Sequence, residues 1–342
     1  MSATGEAIKA RVARVRSMPR VSRPALVLLA VMVLLPLLGD PYLLSVFISI
    51  GLYATVAMGL VLLTGLAGQV SLGQGVFYGT GAYVSGLLCL RLGLSPWLAI
   101  PLAAAASGLL AVPIGRAVLR LRGIVVAGVT LTVNLVFYYL VISVSGLTGG
   151  ATGLVSIPRL PYPKVMPYTM FVFYVVWLMA FVALVLTSNI SSSRVGRALK
   201  SVNVLSGGSE DTVQVLGVNV MHYKVLAFVV AAVFAGMAGG VYAHHTSVIE
   251  PGTFDVNMSV LVAIMVVVGG VTSPWGAMVG SALIVLLTEF LREVAPIVLG
   301  GPTGAYELVA YGLVLILSLL FLPSGLYSLP ARLSRWRKER RI

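Results

Sequence analysis

Long apolar runs separated by short polar or charged connections organise this chain. Runs of roughly 17 to 25 residues, the length that lets a helix cross the hydrocarbon layer, stand near 25–39, 42–64, 70–91, 97–119, 124–146, 169–187, 224–245, 257–271, 275–292 and 304–322. The pattern predicts an all-α polytopic membrane protein with about ten transmembrane helices. The short first run and the near-contact of the eighth with the ninth set the range at eight to ten.

Two runs break the apolar pattern. GLAGQVSLGQGVFYGTGAYVSG, residues 65–86, holds seven glycines together with Gln69, Ser71, Gln74, Thr80 and Ser85. An interior glycine costs a helix about 1 kcal/mol against alanine, so the stretch needs compensation from its surroundings. Irregular backbone at membrane depth is tolerated only where protein buries it or an aqueous cavity lines it. Small residues at a G-x-x-x-G spacing, here Gly75 and Gly79, let helix backbones approach closely. The stretch therefore predicts a protein-buried break at Gln69, Ser71 and Gln74, followed by a closely packed helix. A second glycine-rich break, VVVGGVTSPWGAMVGSALIV at 266–285, carries Gly269, Gly270 and Gly276 in a comparable order and hints at an internal duplication.

Composition agrees with the membrane reading: 59% of the 342 residues are hydrophobic, 10% are charged and the mean hydropathy is +1.03. The net charge of +13 raises nucleic acid as a partner, but the cations sit at the ends of apolar runs, which argues against it. Lys and Arg accumulate on the cytoplasmic side of membrane proteins. With ten spans and the amino terminus inside, that side receives Lys9 to Arg23, then Arg116, Arg120 and Arg122, then Arg194, Arg197, Lys200 and Lys224, and finally Arg332 to Arg341. Only Arg91, Arg159, Lys164 and Arg292 fall outside. Expected are a basic cytoplasmic tail over 1–24, a membrane domain over 25–322 with a cytoplasmic loop at 188–223, and a basic cytoplasmic tail over 323–342. The stretch AIKARVARVRSMPRVSRP resembles the basic start of a signal peptide, but no small-residue cleavage site follows, so an uncleaved first span is expected. The outside connection 145–169, rich in Gly and Pro, predicts an ordered loop or short helix over the mouth of the bundle.

Catalytic chemistry is absent from the motifs. There is no G-x-x-x-x-G-K-[ST] phosphate loop, no H-E-x-x-H, no paired-cysteine site and no G-x-S-x-G elbow, so neither an enzyme nor a resident metal is expected. Cys89 reads as packing. His244 and His245 are adjacent on a helix and face about 100° apart, which favours interfacial histidines over a metal pair. Glu289 and Arg292 have the i,i+3 spacing of an ion pair at a helix end, with a solute-path carboxylate as the alternative. Thr132 and Asn134 either line a path or hydrogen-bond a neighbouring helix.

Taken together, GLAGQVSLGQGVFYGTGAYVSGLL, LRLRGIVVAGVTL, SGLTGGATGL, SSRVGRALKSV, LGVNVMHYKVLAFVVAAVFAGMAGGVYAHH, MVVVGGVTSPWGAMVGSALIVLLTEFLR and the closing FLPSGLYSLP closely resemble the M-type permease subunit of branched-chain amino-acid ABC importers, in that family's order from about residue 42 to 328. The resemblance implies an ABC importer permease fold in a bacterial inner membrane. It implies a half-pore that pairs with a homologous H-type permease, with two cytoplasmic ATPase subunits that use ATP and Mg, and with a solute-binding protein outside. No cofactor would be bound by this chain.

Solute would pass Gln69, Ser71, Gln74, Thr132, Asn134, Gly269, Gly270 and Gly276. The loop would meet the ATPase through Arg197, Glu210, Asp211, Gln214, Leu216 and Gly217, with Gly217 and Val218 in the family's Gly-Ile positions. The chain departs from the pattern in a loop about four residues longer, in Thr212 and Val213 where the family has an alanine pair, and in Thr132 to Leu135 where it has G-F-G-E. Because relatives of this group also carry urea, short amides and other small polar solutes, those stand beside branched-chain amino acids as candidates. An ion-coupled secondary transporter, which also uses broken helices, is the rival, opposed by the scarcity of buried ionisable groups.

Overall fold

In the computed structural model, residues 35–121, 123–203, 219–299, 303–321 and 325–326 are described. Most of the first apolar run and the expected ATPase-facing residues Glu210, Asp211, Gln214, Leu216 and Gly217 lie outside them.

The described chain is a bundle of helices. Asp40 caps α1 (Pro41–Leu60) through the Tyr42 amide at 2.9 Å, with Pro41 at the first helical position where its missing N–H costs nothing. A π-helical turn, Val61–Leu66, carries α1 on without interruption. After a non-helical stretch come α2 (Gln74–Leu92), α3 (Pro96–Val118) and α4 (Ile124–Ser143). A single turn at Ser145–Thr148 leads into the connection that contains the antiparallel bridge Leu154–Ile249. Then follow α5 (Tyr168–Ser192), the short α6 (Arg194–Val202), α7 (Val220–Thr246), α8 (Val256–Gly269), α9 (Pro274–Leu299) and α10 (Thr303–Phe321).

Among the described residues, seven helical segments are long and apolar enough to cross a membrane. α2 is not one of them: its glycines dilute the hydropathy, yet the bundle buries most of the helix. α1 and its π turn form the central mast, 83% buried over their most apolar window and packed against α5, α7, α8 and α9. That burial explains the sequence. A helix surrounded by helices has no polar face to present, and α1 is apolar or small nearly all round.

Small residues set the closest approaches. α2 and α7 cross where Gly81 lies against the Gly236 carbonyl and Gly239 against the Tyr78 carbonyl; a methyl at either glycine would strike backbone. The bundle has an Asn203 end, where the π turn, α6 and the α8–α9 hairpin meet, and a Leu154 end, where the bridge to Ile249 lies.

The sixth of these apolar segments, Pro251–Gly269, is composite. A 3-10 turn at Pro251–Phe254 gives way to an extended Asp255 (ψ −174°), and only then does α8 begin. With 14 residues, α8 is about 21 Å long, short of the ~30 Å hydrocarbon layer. Its first turn meets Asn134, halfway along α4. Residues 250–255 therefore dip back into the bundle from the Leu154 end, and α8 starts at membrane depth.

Candidate functional site

The first break runs from Ala67 to Gly73, between the π turn and α2. Gly68 has φ +67°, a turn geometry that favours glycine. Gln69, Ser71 and Gln74 are all buried here. The Thr64 hydroxyl donates to the Gln69 carbonyl at 3.2 Å, and the Leu72 amide donates to Thr130 Oγ1 on α4 at 2.9 Å. The side-chain amide of Gln74 makes no hydrogen bond among the described residues, nor does Gln69 Oε1. A buried amide without partners is costly in an apolar interior, so both glutamines stand out from the apolar residues around them.

One residue ties the break to α4 and α8. Ser259 Oγ accepts the Gly75 amide at 2.8 Å and the Asn134 side-chain amide at 3.1 Å, while Asn134 Nδ2 also donates to the Asp255 carbonyl at 2.9 Å. The Asn134 oxygen is unpartnered among the described residues and lies against Gly75. Thr132 is not part of this cluster. It sits on the exposed face of α4 with its hydroxyl turned back to the Gly128 carbonyl at 3.0 Å. Thr130, one turn from Asn134, takes the buried position. Residues i and i+4 share a helix face whereas i and i+2 do not, so the spacing already favoured Thr130 as the companion of Asn134.

At the second break Ser273 precedes α9, accepting the Gly276 amide at 3.3 Å through Oγ and the Ala277 amide at 3.1 Å through its carbonyl. Gly269 and Gly276 meet backbone to backbone, and Gly270 takes φ +128°. The two breaks touch: Gly65 packs on the Val271 carbonyl, so that a methyl there would collide with it. Asn203, 1% exposed at the end of α6, donates through Nδ2 to the Gly65 carbonyl at 2.8 Å, and its oxygen lies against Gly68. Asn203, the last described residue before the long loop, is thus fastened to the first glycine-rich stretch, which in turn packs on the second through Gly65 and Val271. Arg197 points outward on α6 and donates to the Ser192 carbonyl at 3.1 Å.

A cavity of about 800 Å³ opens among α1, α8, α9 and α10, within the range of small-molecule sites. Tyr53 of α1, Asp255 and Asn257 at the start of α8, Thr288, Glu289 and Arg292 of α9, and Tyr311 of α10 contribute its polar wall, and Leu261, Ile264 and Leu315 its apolar wall. Arg292 Nη1 lies 3.5 Å from Glu289 Oε1, Tyr42 OH donates to Glu289 Oε2 at 2.9 Å, and Thr288 pairs with Tyr311 OH at 2.7 Å. Asp255 caps α8 through the Asn257 and Met258 amides at 2.8 and 3.3 Å and accepts from the Asn257 side chain at 2.7 Å. None of the residues expected on the solute path lines this cavity; they occupy the two breaks and α4 beside it. Asp255 escaped the sequence reading because the eighth apolar run, 257–271, starts two residues after it. The signal was an Asp-Val-Asn cap in front of an apolar helix too short to cross.

His244 lies at the Leu154 end of α7. Its Nδ1 contacts the Pro158 carbonyl at 2.7 Å, a donor position, which leaves Nε2 to accept from Ser85 Oγ at 2.8 Å. The ring holds the connecting segment onto α2 and α7.

Residues 42–319 match the family described as branched-chain amino acid transport system / permease component. The chain is 28% identical over 302 residues to the high-affinity branched-chain amino acid transport system permease protein LivM of Escherichia coli K12, covering 80% of this chain and 67% of the relative. It is 27% identical over 303 residues to the high-affinity branched-chain amino acid transport system permease protein BraD of Pseudomonas aeruginosa PAO1, with 81% and 92% covered. The permease protein LivH of Escherichia coli K12 is 34% identical over 160 residues, 46% of this chain and 47% of the relative. No solved structure matches.

Proposed function

The chain belongs to the family of branched-chain amino acid transport permease components, and from that premise we propose that it is one half of an ATP-driven importer's membrane pore. Its partners in this reading are an H-type permease, two cytoplasmic ABC ATPase subunits using ATP and Mg, and an extracytoplasmic solute-binding protein. The Leu154 end faces outward and the Asn203 end faces the cytoplasm of a bacterial cell. Branched-chain or related amino acids are the solutes, moved by alternating access.

The Asn203 fastening carries the reading. A loop pushed by an ATPase has a direct mechanical route to Gly65 and Val271, the contact where the two breaks close the Asn203 end. From the first break, hydrogen bonds run from the Gly75 amide through Ser259 and Asn134 to the carbonyl of Asp255, which lines the 800 Å³ cavity. Both breaks interrupt the helical ladder, at 67–73 and 270–273, and non-helical joints of that kind suit a gate. Among the described residues, the two carboxylates of the cavity wall that an ion-coupled mechanism could use are already held, Asp255 by two amides of α8 and the Asn257 side chain and Glu289 by Tyr42 and Arg292. Affinity purification through a tag on this chain tests the assembly. Recovery of the second permease and both ATPase copies supports it; a chain that purifies alone from cells expressing the neighbouring transport genes refutes it.

A further inference from the structure

The 800 Å³ cavity grades from charged to apolar along the bundle. α9 presents Val285, Thr288, Glu289 and Arg292 to it, positions i, i+3, i+4 and i+7 of one helix face. α8 presents Asn257, Leu261 and Ile264 at i, i+4 and i+7, and α10 presents Tyr311 and Leu315. α8 runs toward the Asn203 end and α9 away from it; α10 also runs toward that end, where Gly325 beyond it lies against Gly270. Asp255, Glu289 and Arg292 therefore stand toward the Leu154 end, with Val285, Leu261, Ile264 and Leu315 on the Asn203 side of them. Val285 and Arg292 are about 10 Å apart along the axis of α9.

The charged end holds both signs side by side. Arg292 Nη1 lies 3.5 Å from Glu289 Oε1, and Tyr42 OH donates to Glu289 Oε2 at 2.9 Å. These contacts fix the Glu289 carboxylate and occupy two of its about four acceptor positions, so it can receive an ammonium without changing partners. A guanidinium likewise carries more donors than one carboxylate oxygen engages. A ligand here must balance a cation and two carboxylates at one end and cover an apolar wall at the other. A zwitterion with an apolar side chain does both. A simple anion faces two carboxylates against one guanidinium, while urea or a short amide leaves the charges unmatched and the apolar wall bare.

We propose that this cavity is a solute-binding site built from this chain's own residues, which takes a free α-amino acid with an apolar side chain. Glu289 receives the ammonium, Arg292 donates to the carboxylate, and the side chain lies against Leu261, Ile264 and Leu315. The site stands on the Leu154 side of the Gly65–Val271 contact and apart from both glycine-rich breaks. It deepens the importer reading, on which it rests for the source of its solute, and it sets urea and short amides aside as ligands of this cavity.

Equilibrium binding of labelled leucine to the complete membrane complex in nanodiscs, without binding protein and without ATP, tests the site. The wild type is expected to bind saturably with a Kd below about 1 mM. Isocaproate lacks the ammonium, isoamylamine lacks the carboxylate and glycine lacks the apolar part. Each should compete about tenfold or more weakly than leucine, the cost of one unmatched half of the site. Urea and acetamide should not compete. Glu289→Gln and Arg292→Gln should each weaken leucine by about tenfold or more, and Arg292→Lys should retain part of the loss. The competition arms use the wild type, so a variant that fails to fold does not decide the outcome. Absence of saturable binding overturns the site, as does any of the three analogues competing as well as leucine. Leucine affinity at the wild-type value in both Glu289→Gln and Arg292→Gln also overturns it. A complex that imports leucine with ATP yet binds none here keeps the importer and loses the site; one that binds as expected but imports nothing keeps the site and refutes the importer.

Discussion

Replacing Asn203 by Ala is predicted to separate the long loop from the Gly65–Val271 contact without touching the 800 Å³ cavity. The Asn203 side-chain amide reaches the Gly65 carbonyl at 2.8 Å in a site where Asn203 is 1% exposed. Gly65 lies in the last turn of its helix, where carbonyls have no further helical amide to accept from. Truncation leaves that buried carbonyl without its side-chain donor, a loss of about 1–3 kcal/mol, or roughly a 5- to 150-fold change in a coupled equilibrium. Asn203→Asp is worse, because an oxygen then faces the carbonyl. In proteoliposomes holding all subunits, the measured quantity is ATP hydrolysed per solute imported. The expected result is a ratio at least fivefold above wild type for both variants, with hydrolysis maintained and uptake reduced. A wild-type ratio at wild-type uptake in both would refute the mechanical route through Asn203.

Three further outcomes follow from other contacts. Gly65→Ala drives a methyl into the Val271 carbonyl and should cost about 1–3 kcal/mol, lowering the thermal midpoint of the detergent-purified protein; Gly128→Ala, where a methyl meets nothing within 4 Å, should leave it unchanged or raise it slightly. Asn134→Leu removes the donor to Asp255 and Ser259 and should destabilise by about 1–3 kcal/mol in the same melt, whereas Thr132→Val on the exposed face should stay within about 0.5 kcal/mol; equal effects would contradict the assignment of faces. Gly217→Glu should uncouple hydrolysis from uptake while membrane insertion, read by protease accessibility of the tails, is unaltered.

Much of the architecture was legible because the membrane imposes one strong rule, that backbone polar groups be satisfied within a helix. Apolar run length then marks α3, α4, α5, α7 and α9 to within a few residues. The same rule exposed its exceptions, and in both glycine-rich stretches particular glycines, Gly65, Gly81, Gly269, Gly276 and Gly280, are pressed against backbone. Hydropathy could not show that the breaks touch one another, since Gly65 and Val271 are about two hundred residues apart in sequence. Nor could it place Asp255. Run length treats a segment as spanning or not, and a 3-10 turn followed by a short helix reads as one ordinary span. Thr132 was paired with Asn134 by proximity in sequence, where helical phase selects Thr130. The role of Asn203 was hidden because a lone asparagine at the end of a charged loop carries no pattern; only its contact with Gly65 distinguishes it.

Labelled leucine uptake into proteoliposomes containing this chain, the second permease and the ATPase subunits, with the binding protein added on the outward face, tests the central claim most directly. The account predicts accumulation that requires ATP and every partner and that persists when ion gradients are collapsed. Accumulation by this chain alone, driven by a proton or sodium gradient and indifferent to ATP, would contradict it.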